Sequence, residues 1–491
     1  MGTQNGNGES NGSQGNGGGS KDSMVVGRSS QGVEIHATLL RLTRFLVAFE
    51  IYNPSLVLRS SEVLTDFKII VNDRTVYSGR AVVSGLVNMG GVLVCEASLG
   101  DSWLGLEAFL PSRPGDQSKA FQAFLRHWQE VYRIRPEFKV VVADMYTFLS
   151  ELRLWLEQLE LGIRSAPAGD RLRMEHEIGS ELGKSTTPAL TNLFERFEEA
   201  LATVDREQVE AHQSYCRRQL HPMLLCSPFL YRTFTKPLGY AGDYEMVNMM
   251  LRDPLEGGSL YAKIVNHWFL HQPPAEAHRN RINYLVGHLV SQAARSLRGG
   301  APARVLSVGC GPAQEIQRFL AESDLSESTR FTLIDFNEET ITHCQSVLEG
   351  AKRQAHRGTP IKYVRKSVHQ ILKESARSVD AGGGDRYDLV YCAGLFDYLS
   401  DTVCRKLTSI CYDWLAPGGL LITTNVDAGN PRRLTMDYIM EWHLNYRNSP
   451  EVGALKPASL APDLCAVKSD GTGVNIFCEM NKPSRVEAPA I

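Results

Sequence analysis

The spacing of hydrophobic and polar positions changes twice along the chain. From Val25 to about Leu110 apolar residues alternate with polar ones, and Val, Leu and Ile are frequent. Val33-Glu-Ile-His-Ala-Thr38, the run from Phe45 to Tyr52, and Phe67-Lys-Ile-Ile-Val71 carry the period of two expected of strands, with Asn72-Asp73 as a turn. Gly79-Arg-Ala-Val-Val83 continues the pattern, and Gly90-Gly91 interrupts it before Val92-Leu-Val-Cys95. From Ser118 to Phe234 the period becomes 3.6. Phe121, Phe124, Leu125, Trp128, Val131 and Tyr132 form one apolar face. Leu152, Leu154, Trp155, Leu159 and Leu161 form another, and Leu193, Phe194, Phe197 and Leu201 a third. Pro167-Ala-Gly169, Thr187-Pro188 and His221-Pro222 predict breaks.

From Ala301 strands and helices alternate. Arg304–Val308, Phe331–Asp335, Ile361–Val364, Tyr387–Cys392 and Leu420–Asn425 read as strands separated by helical stretches, the order of a doubly wound parallel sheet. Val474–Met480 reads as an antiparallel edge strand. The expected organisation is a disordered leader (1–24), a small β-barrel-like domain (25–117) and a helical domain (118–235). A helical cap that closes on a cofactor (236–300), an α/β core (301–482) and a tail (483–491) follow.

With 491 residues the chain has room for about three domains. Lys plus Arg number 52 and Asp plus Glu 55, a near balance that excludes the basic stripe of a nucleic-acid binder. The apolar runs fall far short of a membrane span, so no stable membrane insertion is expected. Met1 to Ser20 holds Gly, Asn, Ser and Gln without an apolar stretch, unlike a secretory signal. The ten cysteines contain no CxxC pair, the usage of reduced thiols in a cytoplasmic protein.

Two chemical leads fail on inspection. Gly183-Lys-Ser-Thr186 resembles the end of a phosphate-binding loop, but Ile178 stands where that loop needs glycine, and the flanks are helical. His212, Cys216, His221 and Cys226 lack a supporting carboxylate set, and a structural role fits them and His267 and His271 better, so no metal is expected.

The segment Arg304-Val-Leu-Ser-Val-Gly-Cys-Gly-Pro-Ala-Gln-Glu315 is a strand, a glycine turn and a helix start. Gly309 and Gly311 let the backbone approach a ligand where a Cβ would obstruct it. Asp335, closing the second strand, is placed to accept hydrogen bonds from ribose hydroxyls. Gln314 stands where a dinucleotide fingerprint wants glycine, which disfavours a dehydrogenase. Taken with Asp388-Leu-Val390 and Ala416-Pro-Gly-Gly419, the set resembles the class I S-adenosylmethionine-dependent methyltransferases over about Ala301 to Lys482. The fold this implies is α/β, a Rossmann-like seven-stranded sheet preceded here by a helical bundle and a small β domain.

By that resemblance Gly309, Cys310 and Gly311 line the methionine end, and Asp335 and Phe336 hold ribose and flank adenine. Ser367 and Val368 reach the adenine, while Ala393, Gly394, Phe396, Asp397 and Tyr398 border the methyl group. Ser307 departs from the acid that many members carry, and Glu315 is placed to take over its task. The N-terminal strands resemble PilZ-like barrels, but Arg41 and Arg44 are three apart and Val87-Asn-Met-Gly-Gly91 lacks the serine of their nucleotide motif. A docking or oligomerising barrel fits better.

Lys236-Pro-Leu-Gly-Tyr-Ala-Gly-Asp-Tyr-Glu-Met-Val-Asn248, His278-Arg-Asn-Arg-Ile-Asn-Tyr-Leu285 and Met436-Asp-Tyr-Ile-Met-Glu-Trp-His-Leu-Asn-Tyr-Arg447 add a narrower likeness. With the strand motifs they resemble the bacterial extracellular-factor 3-hydroxypalmitic acid methyl ester biosynthesis proteins. That resemblance implies a small lipophilic acid, such as a 3-hydroxy fatty acid, methylated on its carboxylate. Tyr240 and Tyr244 then offer aromatic faces to a sulfonium cation. Asp243 or Glu245 is placed for the cofactor's amino group, and Arg279 and Arg281 for a carboxylate. His443 is the candidate base for any other acceptor, with Arg447 on the same helix face. Two other readings remain at this level: a methyltransferase acting on another acceptor in secondary metabolism, and a cofactor-binding regulatory protein without turnover.

Overall fold

The computed structural model describes residues 23–52, 57–71, 74–88, 92–100, 122, 125, 134–377 and 386–484. The leader up to residue 22, Asn72-Asp73, Gly90-Gly91, most of the apolar face at 121–132 and the last seven residues lie outside the described residues.

Six antiparallel strands close into a barrel: β1 (Ser23–Arg28), β2 (Glu34–Leu42), β3 (Leu46–Ile51), β4 (Val63–Val71), β5 (Arg74–Asn88) and β6 (Leu93–Leu99). Their order is β1-β2-β3-β6-β5-β4, and β1 pairs with β4 to seal the ring. Alternation drives the closure, since every second side chain (Val25, Ile35, Val47, Phe49, Ile69, Val76) enters one dry core. Strand β1 starts at Ser23, inside the stretch expected to be leader.

Helices follow: α1 (Pro136–Arg164), α2 (Ala168–Ala202), α3 (Val209–Leu224), α4 (Pro228–Thr235), α5 (Tyr244–Met249), α6 (Leu260–Leu270) and α7 (Pro273–Arg298). Pro188 and Pro222 were expected to end helices, yet both lie inside them. A mid-helix proline costs about 3 kcal/mol. Buried Leu190, Leu193 and Phe194 after Pro188, and Met223 and Leu224 after Pro222, hold the helices together across it. Gly183, from the false phosphate loop, has a packing role. A Cβ there would stand 3.0 Å from the His267 ring, so glycine lets α2 lie against α6.

The C-terminal part is a seven-stranded Rossmann-like sheet. Its strands are β7 (Ala303–Val308), β8 (Thr329–Asp335), β9 (Ile361–Arg365), β10 (Tyr387–Cys392), β11 (Leu415–Val426), β12 (Cys465–Ser469) and β13 (Asn475–Asn481). Their order is β12-β13-β11-β10-β7-β8-β9. Strands β7 to β11 run parallel, and β13 is antiparallel to both β11 and β12. The expected edge strand at Val474–Met480 is therefore interior, and β12 is the edge. Its half-exposed side chains carry too little alternation to mark it in the sequence. Helices α8 (Gln314–Glu322), α9 (Glu338–Ala355), α10 (Val368–Arg377) and α11 (Asp401–Asp413) link the parallel strands.

The barrel is tied to the carboxyl end of this sheet. In the segment between β3 and β4, the Ser60 N–H donates to the Tyr398 carbonyl (3.2 Å) and the Val63 N–H to the Gly239 carbonyl (2.7 Å). The Ser61 hydroxyl donates to the His443 carbonyl at 2.9 Å.

Candidate active site

The reversal of strand order places a crevice above β7 and β10, where open α/β sheets take their ligands. A cavity fills it. Its floor begins at the turn after β7, where Gly309 (φ +71°) and Gly311 (φ +52°) adopt left-handed backbone. The Gly309 and Cys310 N–H groups both bond the Ile334 carbonyl, at 2.8 and 3.1 Å, and fasten the turn to β8. Asp335 ends β8 and faces the cavity. Its two oxygens accept from Asn337 N–H (3.0 Å) and Gly311 N–H (3.3 Å). Burial raises its pKa above the ordinary carboxylate value, and those two N–H groups oppose the rise.

Deeper in, Ser307, Glu315 and Tyr391 share one wall. Glu315, in the first turn of α8, accepts from the Tyr391 hydroxyl at 2.7 Å, and burial raises its pKa. Helix α8 begins without a side-chain cap, which leaves N–H groups for an anion. Arg281 of α7 also faces the cavity and has no hydrogen bond or ion pair among the described residues. Gly394 (φ +86°) makes room for it, because a Cβ there would stand 2.8 Å from the guanidinium. Asp397 lies opposite. One of its oxygens accepts from the Val426 N–H at 2.6 Å, and burial pushes its pKa up to about 6.

The roof comes from elsewhere. The loop from Lys236 to Asp243 bends at Gly239 (φ +81°) and Gly242 (φ +76°). A Cβ at Gly242 would collide with the Tyr398 hydroxyl, so the glycine allows the loop to press onto the site. Tyr240 packs against Phe336 with ring centroids 5.1 Å apart. Trp442 donates its indole N–H to the Tyr398 hydroxyl at 2.9 Å. His278 of α7 bonds the Pro274 carbonyl through Nδ1 at 2.9 Å. Burial first, then Arg281, lower its pKa to about 3, so the ring is neutral with Nε2 left as an acceptor.

The structure gathers Gly309, Cys310, Gly311, Glu315, Asp335, Phe336, Ala393, Gly394, Tyr398, Arg281 and Tyr240 around this one cavity. Val368 lines a smaller apolar cavity next to it, against Asp335 and Phe336. Six expected site residues lie elsewhere. Asp243 caps α5 through Met246 N–H (2.8 Å) and pairs with Arg232 (2.9 Å). Ser367 caps α10 by bonding Gln370. Phe396 is fully buried in the sheet's core. Arg279 spends its guanidinium on the Met250 and Leu270 carbonyls. Arg447 is held by Asp401, Asn425 and the Phe396 and Leu399 carbonyls, so it braces the loop after β10. His443 turns away from the cavity towards Asp437, at 3.3 Å. Tyr240 lies at the Phe336 end of the cavity, with its hydroxyl 3.5 Å from Thr340.

His278 and Trp442 belong to quoted motifs but were not singled out. Trp442 and His443 are sequence neighbours outside any helix, so one faces in and the other out. Arg59 also lines the cavity from the barrel side, and nothing in its surroundings, Leu58-Arg-Ser-Ser-Glu62, signals this.

The family model described as a methyltransferase domain matches residues 305–419. This segment is a class I methyltransferase domain, and its cofactor is S-adenosylmethionine. No curated protein matches the chain. Among solved structures, the chain is similar to a possible exported protein from Bordetella parapertussis, at 17% identity over 52% of this chain and 86% of that one, TM-score 0.37. Magnesium protoporphyrin IX methyltransferase from Synechocystis PCC 6803 with bound SAH gives 13% identity over 42% and 84%, TM-score 0.30. An O-methyltransferase family protein from Burkholderia thailandensis gives 13% over 58% and 75%, TM-score 0.33.

Proposed function

We propose that the protein methylates the carboxylate of a small lipophilic acid, such as a 3-hydroxy fatty acid, to give a methyl ester. The cavity's residues fit the cofactor. Asp335 suits two ribose hydroxyls, Glu315 an ammonium group, and the uncapped start of α8 a carboxylate. Bound there, S-adenosylmethionine supplies an electrophilic methyl group.

The observation that carries the acceptor class is Arg281, a half-buried guanidinium with no hydrogen bond or ion pair among the described residues, facing a largely apolar chamber. A guanidinium fork matches a carboxylate in shape and charge. Val426, Met436, Trp442, Leu444 and Val474 line the chamber around it. A second small cavity shares Pro274, Met436 and Trp442 with the first and is lined further by Phe229, Trp268 and Phe269 of the helical core, a mainly apolar neighbourhood suited to an acyl chain. A carboxylate is already ionised at neutral pH and needs no base. The chain's contribution is positioning and exclusion of water, and holding two reactants in register is worth about 7–11 kcal/mol.

Asp397 supports a second reading. A cavity-facing carboxyl with a pKa near 6 is suited to taking a proton from a hydroxyl acceptor. One experiment separates the two. Cofactor with a labelled methyl group is offered with a panel of 3-hydroxy acids, and the product is treated with mild alkali. Label released as methanol supports the ester. Alkali-stable label overturns it and moves Asp397 and His278 to the front. Replacing Arg281 by Met should raise the KM for the acid and leave binding of S-adenosylhomocysteine unchanged. Weaker homocysteine-adduct binding with an unchanged acid KM would assign Arg281 to the cofactor instead.

A further inference from the structure

We infer that the N-terminal barrel contributes a cofactor-binding residue, Arg59, which holds the adenosine half of S-adenosylmethionine against Phe336. The inference rests on the cofactor reading and adds to it a residue from outside the matched domain.

Three observations converge on Arg59. Its guanidinium lies 4.0 Å from the centroid of the Phe336 ring and 5.1 Å from that of Tyr240. Phe336 directly follows Asp335, so the stacked cation stands beside the ribose-binding carboxylate. Arg59 also lines both the main cavity and the smaller one, whose walls include Val308, Ile334, Val368 and Leu395. That slot lies beyond Asp335, is walled mainly by apolar side chains with Lys366 at its edge, and is roofed from the barrel side by Gln31, Val57 and Arg59.

The side chain is built into place. It is 5% exposed, and its Nη2 donates to the Ser30 hydroxyl at 3.1 Å. Glu62, fully buried, accepts from Ser30 N–H (2.8 Å), the Ser30 hydroxyl (2.7 Å) and Arg59 N–H (2.9 Å). Its carboxylate stands 3.9 Å from Arg59 Nε, too far for a hydrogen bond, and that buried Nε has no hydrogen-bond partner among the described residues. Burying a guanidinium with donors unspent is costly unless a ligand meets them. Purine ring nitrogens and ribose oxygens are acceptors, and the planar cation stacks on an aromatic face. Because Ser60, Ser61 and Val63 tie the same segment to Tyr398, His443 and Gly239, barrel docking and adenosine binding are thermodynamically linked.

The test measures dissociation constants of S-adenosylhomocysteine and 5′-methylthioadenosine, which lacks the amino-acid half, by calorimetry on the full chain. Arg59→Gln should weaken both ligands by the same factor, about tenfold for a lost contact of roughly 1.4 kcal/mol. Arg59→Lys, which keeps the charge but loses the planar stack, should weaken both by a smaller equal factor. The KM for the cofactor should rise while kcat at saturation stays near that of the wild type. Wild-type affinity for both ligands in either folded variant would overturn the inference. Loss of S-adenosylhomocysteine binding with methylthioadenosine unaffected would overturn it too, by placing Arg59 at the methionine end. Failure of the wild-type chain to bind either ligand would refute the cofactor reading itself.

Discussion

The floor of the cavity takes its residues from the ends of adjacent strands, most of them between Ser307 and Tyr398, with Val426 and Asn475 beside them. The roof takes its residues from four segments: Arg59, the loop at Tyr240 to Tyr244, helix α7 at Pro274 to Leu285, and the stretch from Met436 to Leu444. In the floor, hydrogen bonds between neighbouring strands fix each group, as when two N–H groups of the glycine turn hold the Ile334 carbonyl. In the roof, position depends on docking between distant parts, and one carboxylate joins them. Glu441 accepts from Arg80 of the barrel at 2.6 Å and from Arg217 of α3 at 2.8 Å. It also accepts from the Ser98 hydroxyl at 3.0 Å. It is followed by Trp442, so the charge cluster sets the tryptophan that lines the cavity from above. The glycine turn and Asp335 thus take their positions from the sheet alone, whereas Arg59, Tyr240 and Trp442 take theirs from the assembly of three parts.

The comparison breaks most readily at Asp335. If the floor alone binds the ribose, Asp335→Ala should lower affinity for S-adenosylhomocysteine by at least about 100-fold. Two hydrogen bonds to a charged acceptor are worth about 1.5–3 kcal/mol each. Calorimetry reads this directly, and thermal stability should change little beside it.

Glu441→Gln comes next. Breaking a buried ion pair by removing one partner costs about 3–5 kcal/mol. Denaturant unfolding of the variant should show a loss on that scale. The pH dependence has a definite sign. Burial pushes the Glu441 carboxyl up, but Arg217, Arg80 and Lys236 outweigh it and hold the pKa well below the ordinary 4.5. The stability it supplies is therefore complete above that ordinary value and is lost as pH falls from there through the depressed one. The glutamine variant should lack this acid-side loss.

The sequence made the floor legible because its signals are local. A strand, two glycines needing left-handed backbone and an acid at the next strand's end are short-range requirements that leave residues behind. Gly309, Gly311 and Asp335 all follow from them. The roof's motifs were visible too, but not which way their side chains face. In Lys236–Asn248 the glycines matter as expected, yet Asp243 caps a helix and Tyr240 turns to Phe336. In Met436–Arg447 the histidine drew attention and the adjacent tryptophan enters the cavity. Arg59 and Phe336 are 277 positions apart and meet only because the barrel docks, which no local pattern encodes.

The smallest effect is expected at His443. Its ring faces Asp437 and lines no part of the cavity, so His443→Gln should change turnover by less than about twofold, under about 0.4 kcal/mol in barrier. A loss of 100-fold with intact folding would return it to the catalytic machinery and erase the distinction between Trp442 and its neighbour.

The division into floor and roof is tested most directly by a crystal structure of the full chain with S-adenosylhomocysteine. The account predicts both ribose hydroxyls on Asp335, the adenine in the slot between Val368 and Arg59, and the sulfur open to the chamber bounded by Tyr398, His278 and Trp442. A ligand whose ribose lies away from Asp335, or whose sulfur faces solvent with that chamber sealed off, would contradict it.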